Sequence, residues 1–259
     1  MSALPYRLVD MHCHLDRMAN ADEVAADAAA RGIALFDTTV TPADARIASA
    51  RFAAAPNVRV GAGLHPWWLA DGRCDGRSAA RTALVAAQAR LVGEVGLDFS
   101  ARFRESLNIQ VEAFQLIAHA CAERPIPNRV ISLHAVRSVG TALDILERYG
   151  LTSSAICIFH WFSGTGEEFA RARRLGCWFS VSERMLASKR GREYARQAPG
   201  ERILLETDAP PELDAPYSAA AIETSLNAAL DQLAELRRED RDQLAERIAQ
   251  MSCELLDLR

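Results

Sequence analysis

The chain has 259 residues, a formal net charge of −4 and six cysteines, and Lys189 is the single lysine among its 30 basic residues. That length excludes a disulfide-stapled miniprotein and allows one large core or two modest ones. A hydrophobic content of 49% with 25% charged residues excludes disordered and collagen-like chains, and the charge excludes a strongly basic nucleic-acid-coating protein while leaving room for a local basic patch.

No run approaches the length of a membrane span, and the opening residues, MSALPYRLVD, lack the apolar core of a secretory signal. The cysteines are scattered and none forms a CxxC pair. A reducing cytoplasm is expected, with the thiols acting as small core residues.

Short apolar runs alternate with longer Ala-, Leu- and Arg-rich stretches. The runs predict eight strands, at residues 7–14, 33–39, 58–65, 91–98, 130–134, 155–160, 177–181 and 203–207. Amphipathic stretches between them, such as 21–31, 41–54, 107–123, 138–149 and 165–175, predict helices, and residues 219–256 read as two long helices divided near 238–240. Gly32, Gly150 and Gly176 each stand between a helix and a strand, where a left-handed C-cap belongs. Strand ends recur every 21 to 36 residues, about the chain a βα unit needs. The expected fold is therefore α/β, a (β/α)₈ TIM barrel with extra C-terminal helices, over one domain at 1–259. An open doubly wound sheet competes less well, because no glycine-rich phosphate loop follows any strand.

In the barrel reading, strand C-termini share one mouth. The first strand ends Asp10-Met-His12-Cys-His14, and residues two apart on a strand face the same way. His12 and His14 thus form a two-point clamp of the kind metals use. Of six histidines, five (His12, His14, His65, His134 and His160) fall at predicted strand ends, and only His119 lies in a helix. Glu94 sits within Leu91-Val-Gly-Glu-Val-Gly-Leu-Asp98, a costly place for a charge without a partner. Asp208 ends the last strand. Because Lys189 lies between strands seven and eight, a carboxylated lysine cannot bridge two metals from mid-barrel, and Glu94 is the remaining bridge candidate.

DMHCHLD, GEVGLDFS, ISLHAVRS, FHWFSG and LLETDAP, in this order and spacing between Leu8 and Pro210, resemble the TatD-like metal-dependent hydrolases, TIM barrels of the amidohydrolase superfamily. The resemblance implies two divalent ions, with zinc, magnesium, manganese and nickel all compatible with the mixed donors. It places His12, His14, Glu94 and Asp208 on one ion and Glu94, His134 and His160 on the other, with Glu94 bridging. It sets His65 near the substrate phosphate and Glu206 just outside the metal shell. Glu94 and Asp208 are then the catalytic carboxylates, Asp208 taking the proton of the attacking water. Three departures stand out: His160-Trp161-Phe162 replaces the usual HCF, the HxR after strand five is loosened to His134-Ala-Val-Arg137, and the segment from Leu175 to Arg192 looks like a divergent branch. That branch is the TatD-like component of Qat-type anti-phage defence clusters, which implies partner proteins.

Charge adds a further expectation. Between Arg171 and Arg196 eight basic residues meet two acidic ones, so this segment carries +6. Arg184 and Lys189 follow strand seven and are expected on the catalytic face, where with Arg137 they would hold phosphates of a DNA strand. Trp67, Trp68 and Trp161 lie beside mouth histidines, either to stack a base or to pack the rim. The function expected is a metal-dependent deoxyribonuclease. Two alternatives are a hydrolase of a small ester, lactone or amide, and a non-turnover assembly component of a defence complex; the retained ligand positions speak against the latter.

Overall fold

The computed structural model describes residues 4–258. In chain order the elements are β1 (Leu8–Cys13), α1 (Ala21–Ala30), β2 (Ile33–Asp37), α2 (Pro42–Arg51), β3 (Val58–Val60), β4 (Ala62–Leu64), α3 (Pro66–Ala70), α4 (Gly76–Ala86), β5 (Leu91–Asp98), α5 (Leu107–Glu123) and β6 (Val130–Val136). They continue with α6 (Val139–Arg148), α7 (Leu151–Ser154), β7 (Ile156–His160), α8 (Gly166–Arg174), β8 (Trp178–Val181), α9 (Glu183–Leu186), α10 (Lys189–Gln197), β9 (Ile203–Leu205), α11 (Ala219–Arg237) and α12 (Arg241–Leu256). The alternation of strand and helix is the one the sequence predicts, and the strand pairings are parallel. The fold class is α/β.

Contacts group the described residues into two compact units. The first holds residues 4–37, Ala48–Val60 and 179–258. In it β2 lies between β1 and β3, with Val9 opposite Ala34 and Phe36 opposite Arg59, and β8 pairs with β9, Phe179 opposite Ile203. Helices α11 and α12 pack on each other and on β1 and β9. Their buried stripes, Ile222, Leu226, Leu230 and Leu233 on one and Leu244, Ile248 and Leu256 on the other, recur at helical spacing. The C-terminal tail is thus part of this unit's core. Arg59 ties it down further, donating from Nε to the Leu256 carbonyl at 3.1 Å and from Nη2 to that of Asp257 at 3.0 Å.

The second unit holds Thr38–Ile47 and Gly61–Trp178. Strands β4, β5, β6 and β7 run parallel in that order, with Val92 opposite Ile131 and Ile131 opposite Cys157. Helices α4 and α5 pack together and against β4 and β5. Between them lies Arg129, 1% exposed. Its guanidinium donates to the carbonyls of Ala86, Ala87, Ala89 and Cys121, at or beyond the C-terminal turns of α4 and α5, where backbone acceptors lack helical partners. One buried cation therefore ends two helices.

The predicted strand 58–65 is broken at Gly61: its first half pairs with β2 and its second with β5. The cause is a close approach of backbone. The Thr39 carbonyl accepts the Glu94 N–H at 2.9 Å, and a Cβ on Gly63 would stand 1.7 Å from that carbonyl oxygen. Gly96 has a related role. Its φ is +144° and a Cβ there would meet the His134 carbonyl oxygen at 2.0 Å. Gly96→Ala is expected to push β6 away from β5, lowering Tm by more than about 10 °C or leaving the protein insoluble; a melting curve within a few degrees of the parent would contradict this packing.

All six cysteines are buried and no disulfide joins described residues. Among those residues no helix is long and apolar enough to cross a membrane.

Candidate metal centres

In the first unit the site begins with β1. Asp10 and His12 lie two apart on it and His14 follows directly after its end, and all three are buried. Asp10 does not face solvent: its Oδ1 accepts from the His12 N–H at 3.2 Å and the Thr207 N–H at 3.0 Å, and its Oδ2 accepts from the Thr207 hydroxyl. Burial pushes its pKa up to about 7 against the pull of these donors. The carboxylate thus latches β1 to the segment after β9. Two further bonds complete the latch, Asp208 N–H to the His12 carbonyl at 2.9 Å and His14 N–H to the Ala209 carbonyl at 2.7 Å. Asp208, with φ +56°, then turns its Oδ1 to 3.5 Å from His14 Nε2 and 3.9 Å from His12 Nε2. The Asp208 side chain is 23% exposed, against none for His12. Glu206 is fully buried and receives the Ser180 hydroxyl.

In the second unit Glu94, 1% exposed, projects from β5. Its Oε1 lies 2.8 Å from His134 Nδ1 on β6, 2.9 Å from His160 Nε2 on β7 and 3.3 Å from His65 Nε2 at the end of β4. His134 Nδ1 and His160 Nε2 are 3.2 Å apart. The two imidazoles of His134 and His160 with one carboxylate oxygen are a donor set that suits a divalent cation, and the described residues bring histidine and carboxylate atoms within ligand distance of one another in each unit, as His12–His14–Asp208 and His65–Glu94–His134. Burial disfavours a charge on His134, yet the carboxylates of Asp98, 3.6 Å from Nε2, and Glu94, 2.8 Å from Nδ1, outweigh it and raise its pKa to about 9. A proton and a cation would compete for its ring nitrogen, so a metal bound here would displace a proton.

His65 differs from its neighbours. Its Nδ1 accepts the Trp67 backbone N–H at 3.1 Å. The ring proton of the neutral form is therefore on Nε2, which points at Glu94 as a donor, not as a metal ligand.

Asp98, four residues beyond Glu94, has no site role in the sequence reading. Its Oδ2 stands 3.6 Å from His134 Nε2 and accepts the Trp67 indole N–H at 2.7 Å, while its Oδ1 accepts the Ser100 N–H at 2.8 Å. Burial raises its pKa, but these donors outweigh it and hold the carboxyl well below the usual range. The signal was its place on the same strand and parity as Glu94. Asp10, on the parity of His12, is the equivalent omission in the first unit.

The residues expected to grip phosphates fall in both units. Arg137 is exposed just after β6, with φ +55°, in the second unit. Arg184 on α9 and Lys189 at the start of α10 are exposed in the first. Three of the segment's eight basic residues are engaged elsewhere: Arg171 pairs with Asp144 and Glu147, Arg196 with Glu193, and Arg192 donates to the Leu186 carbonyl at 2.8 Å. Its charge is less available than the sequence suggests.

Parallel α/β elements bearing histidine and carboxylate clusters at strand ends define a hydrolase of the metal-site type. The TatD related DNase family matches residues 9–257. A protein of Erwinia amylovora, named 3'-5' ssDNA/RNA exonuclease TatD, is 31% identical over 200 residues, 73% of this chain and 74% of that one. The TatD homologue YjjV of Escherichia coli K12 has the same fold, with a TM-score of 0.76 at 22% identity over 98% of this chain and 99% of that one. A TatD family hydrolase of Entamoeba histolytica gives 0.80 at 15% identity over 99% and 100%. The chain belongs to the TatD-related DNase family and is an enzyme of that hydrolase family.

Proposed function

We propose that this enzyme is a metal-dependent nuclease that cleaves phosphodiester bonds in single-stranded nucleic acid, DNA foremost, as the name of the Erwinia relative suggests. The observation that carries the reading is the convergence of His65, His134 and His160 on the single buried carboxylate oxygen of Glu94, in a family of DNases. His134, His160 and Glu94 would hold one cation, and His12, His14 and Asp208 another.

A bound divalent ion lowers the pKa of water and stabilises charge on phosphate oxygens. The chain's own groups do the rest. Asp208 accepts the proton of the attacking water, because its carboxylate is the most open acid of its cluster. His65 donates from Nε2 to a phosphate oxygen, in keeping with its ring proton. Asp98 orients His134 through Nε2. Arg137, Arg184 and Lys189 contribute positive charge to strand binding, and Glu206, buried on Ser180, supports Asp208 two residues away. The segment from Leu175 to Arg192 supports placement in the Qat defence branch; a defence role predicts co-purification with the neighbouring gene products and loss of phage protection in the Asp208→Asn strain.

The test is cleavage of end-labelled single strands, duplexes and a small aryl ester with magnesium, manganese or zinc. EDTA is expected to remove strand cleavage and added manganese or magnesium to restore it. Cleavage that persists in EDTA would sink the metal reading, and ester hydrolysis without strand cleavage would transfer the site to the small-ester alternative.

A further inference from the structure

We propose that Trp67, flanked by Arg102 and Phe103, is a stacking platform for an unpaired nucleobase of the strand bound at the Glu94 cluster. The proposal deepens the nuclease reading and rests on it for the chemical class of the ligand.

A surface tryptophan commonly keeps its N–H in water. Trp67 does the reverse. Its indole N–H donates inward to Asp98, which is buried, at 2.7 Å, and its side chain still leaves the residue 37% exposed. Among the described residues it is the only aromatic among the large exposed apolar side chains. What it offers to solvent is therefore carbon surface held in a fixed plane. That surface stands beside the cluster: the ring centroid is 5.0 Å from that of His65 and 5.9 Å from that of His134, both edge-on.

The neighbouring loop adds a second aromatic and a charge. Phe103 lies 5.8 Å from Trp67, tilted by 35°, and the Arg102 guanidinium lies 5.7 Å from the Trp67 centroid and 4.9 Å from that of Phe103. This loop is anchored to the same strand end as the ring. Gln110 accepts the Asp98 N–H at 2.7 Å and donates to Ser106 Oγ at 2.8 Å, and Ser106 donates to the Phe103 carbonyl at 2.8 Å. All of these polar groups are buried. An open cleft of about 690 Å³ is lined by Arg102, Phe103 and Arg104 of this same loop together with Leu69, within the roughly 300–1,000 Å³ usual for small-ligand sites; Trp67 itself is not part of its lining. Aromatic carbon next to a guanidinium, held rigid near a phosphate-cleaving centre, is the recognition chemistry of a single strand: the ring takes any base by its face, and Arg102 meets the adjoining phosphate. A base inside a duplex has both faces stacked on its neighbours, so the platform selects single strands over duplex.

The test uses the full chain and short fluorescein-labelled DNA strands in EDTA, read by anisotropy, with an abasic residue moved through each position in turn. Trp67→Ala is expected to weaken the intact strand about tenfold. The parent protein should lose a similar factor when one particular base is removed, and Trp67→Ala should lose nothing more on that strand. Trp67→Phe, which keeps a stacking face but not the N–H, should retain most of the affinity. Equal losses of Trp67→Ala on intact and on every abasic strand overturn the proposal, as does a Trp67→Phe loss as large as that of alanine or a parent that binds no strand. A parent that binds with this base dependence yet cuts no strand when manganese or magnesium is supplied upholds the platform and removes the nuclease reading instead.

Discussion

Glu94→Gln is expected to lower strand cleavage on the order of a thousandfold, which corresponds to about 4 kcal/mol of barrier. The substitution preserves shape and removes one negative charge. That charge is what three buried imidazoles face at 2.8 to 3.3 Å, and an amide oxygen does not offset a divalent ion in their midst. Metal content measured on the purified variant should fall with activity. The fold should be retained, because glutamine is isosteric and the lost compensation of the buried His134 is offset in part by deprotonating that imidazole. A variant with parental activity and parental metal content would show that Glu94 is a structural acid, and the cluster would lose its reading as a metal centre.

Arg129→Met should be strongly destabilising although it lies away from the site. Methionine fills much of the same volume but removes the donor that the carbonyls of Ala87, Ala89 and Cys121 share, while the Ala86 carbonyl keeps the Ala89 N–H at 3.2 Å. At about 1–3 kcal/mol for an unsatisfied buried group, softened by relaxation and entering water, a loss of about 3–5 kcal/mol is expected. For a chain of this size that is a Tm drop on the order of 10 °C. Differential scanning calorimetry decides the matter: a shift below about 2 °C would mean that the carbonyls find other donors and that Arg129 is only a filler.

Much of this was legible before any coordinates. Strand ends were visible as apolar runs closing on histidine or acid, and β1, β2, β5 and β7 fall within two residues of where those runs lie. His12 and His14 were a pair by parity alone. The break at Gly61 was not legible, because it depends on the Thr39 carbonyl reaching Glu94 past Gly63, an approach that leaves no local pattern. The run from Lys189 to Arg196 reads as a basic patch; it is a helix because Ser188 caps it by accepting the Gly191 N–H and Tyr194 and Ala195 bury one face. Asp98 and Asp10 were on the right faces, but their importance lies in partners, Trp67 and Thr207, that only folding brings near.

The Asp10–Thr207 latch spans 197 residues of chain, and this separation sets an order of assembly during synthesis. At roughly 5–20 residues per second the ribosome needs on the order of 10–40 s to deliver Thr207 after Asp10 has appeared. The Glu94 cluster needs nothing beyond His160 and can close sooner. A nascent chain therefore completes its Glu94 centre first, and acquires the His12–His14–Asp208 centre only with its last strand.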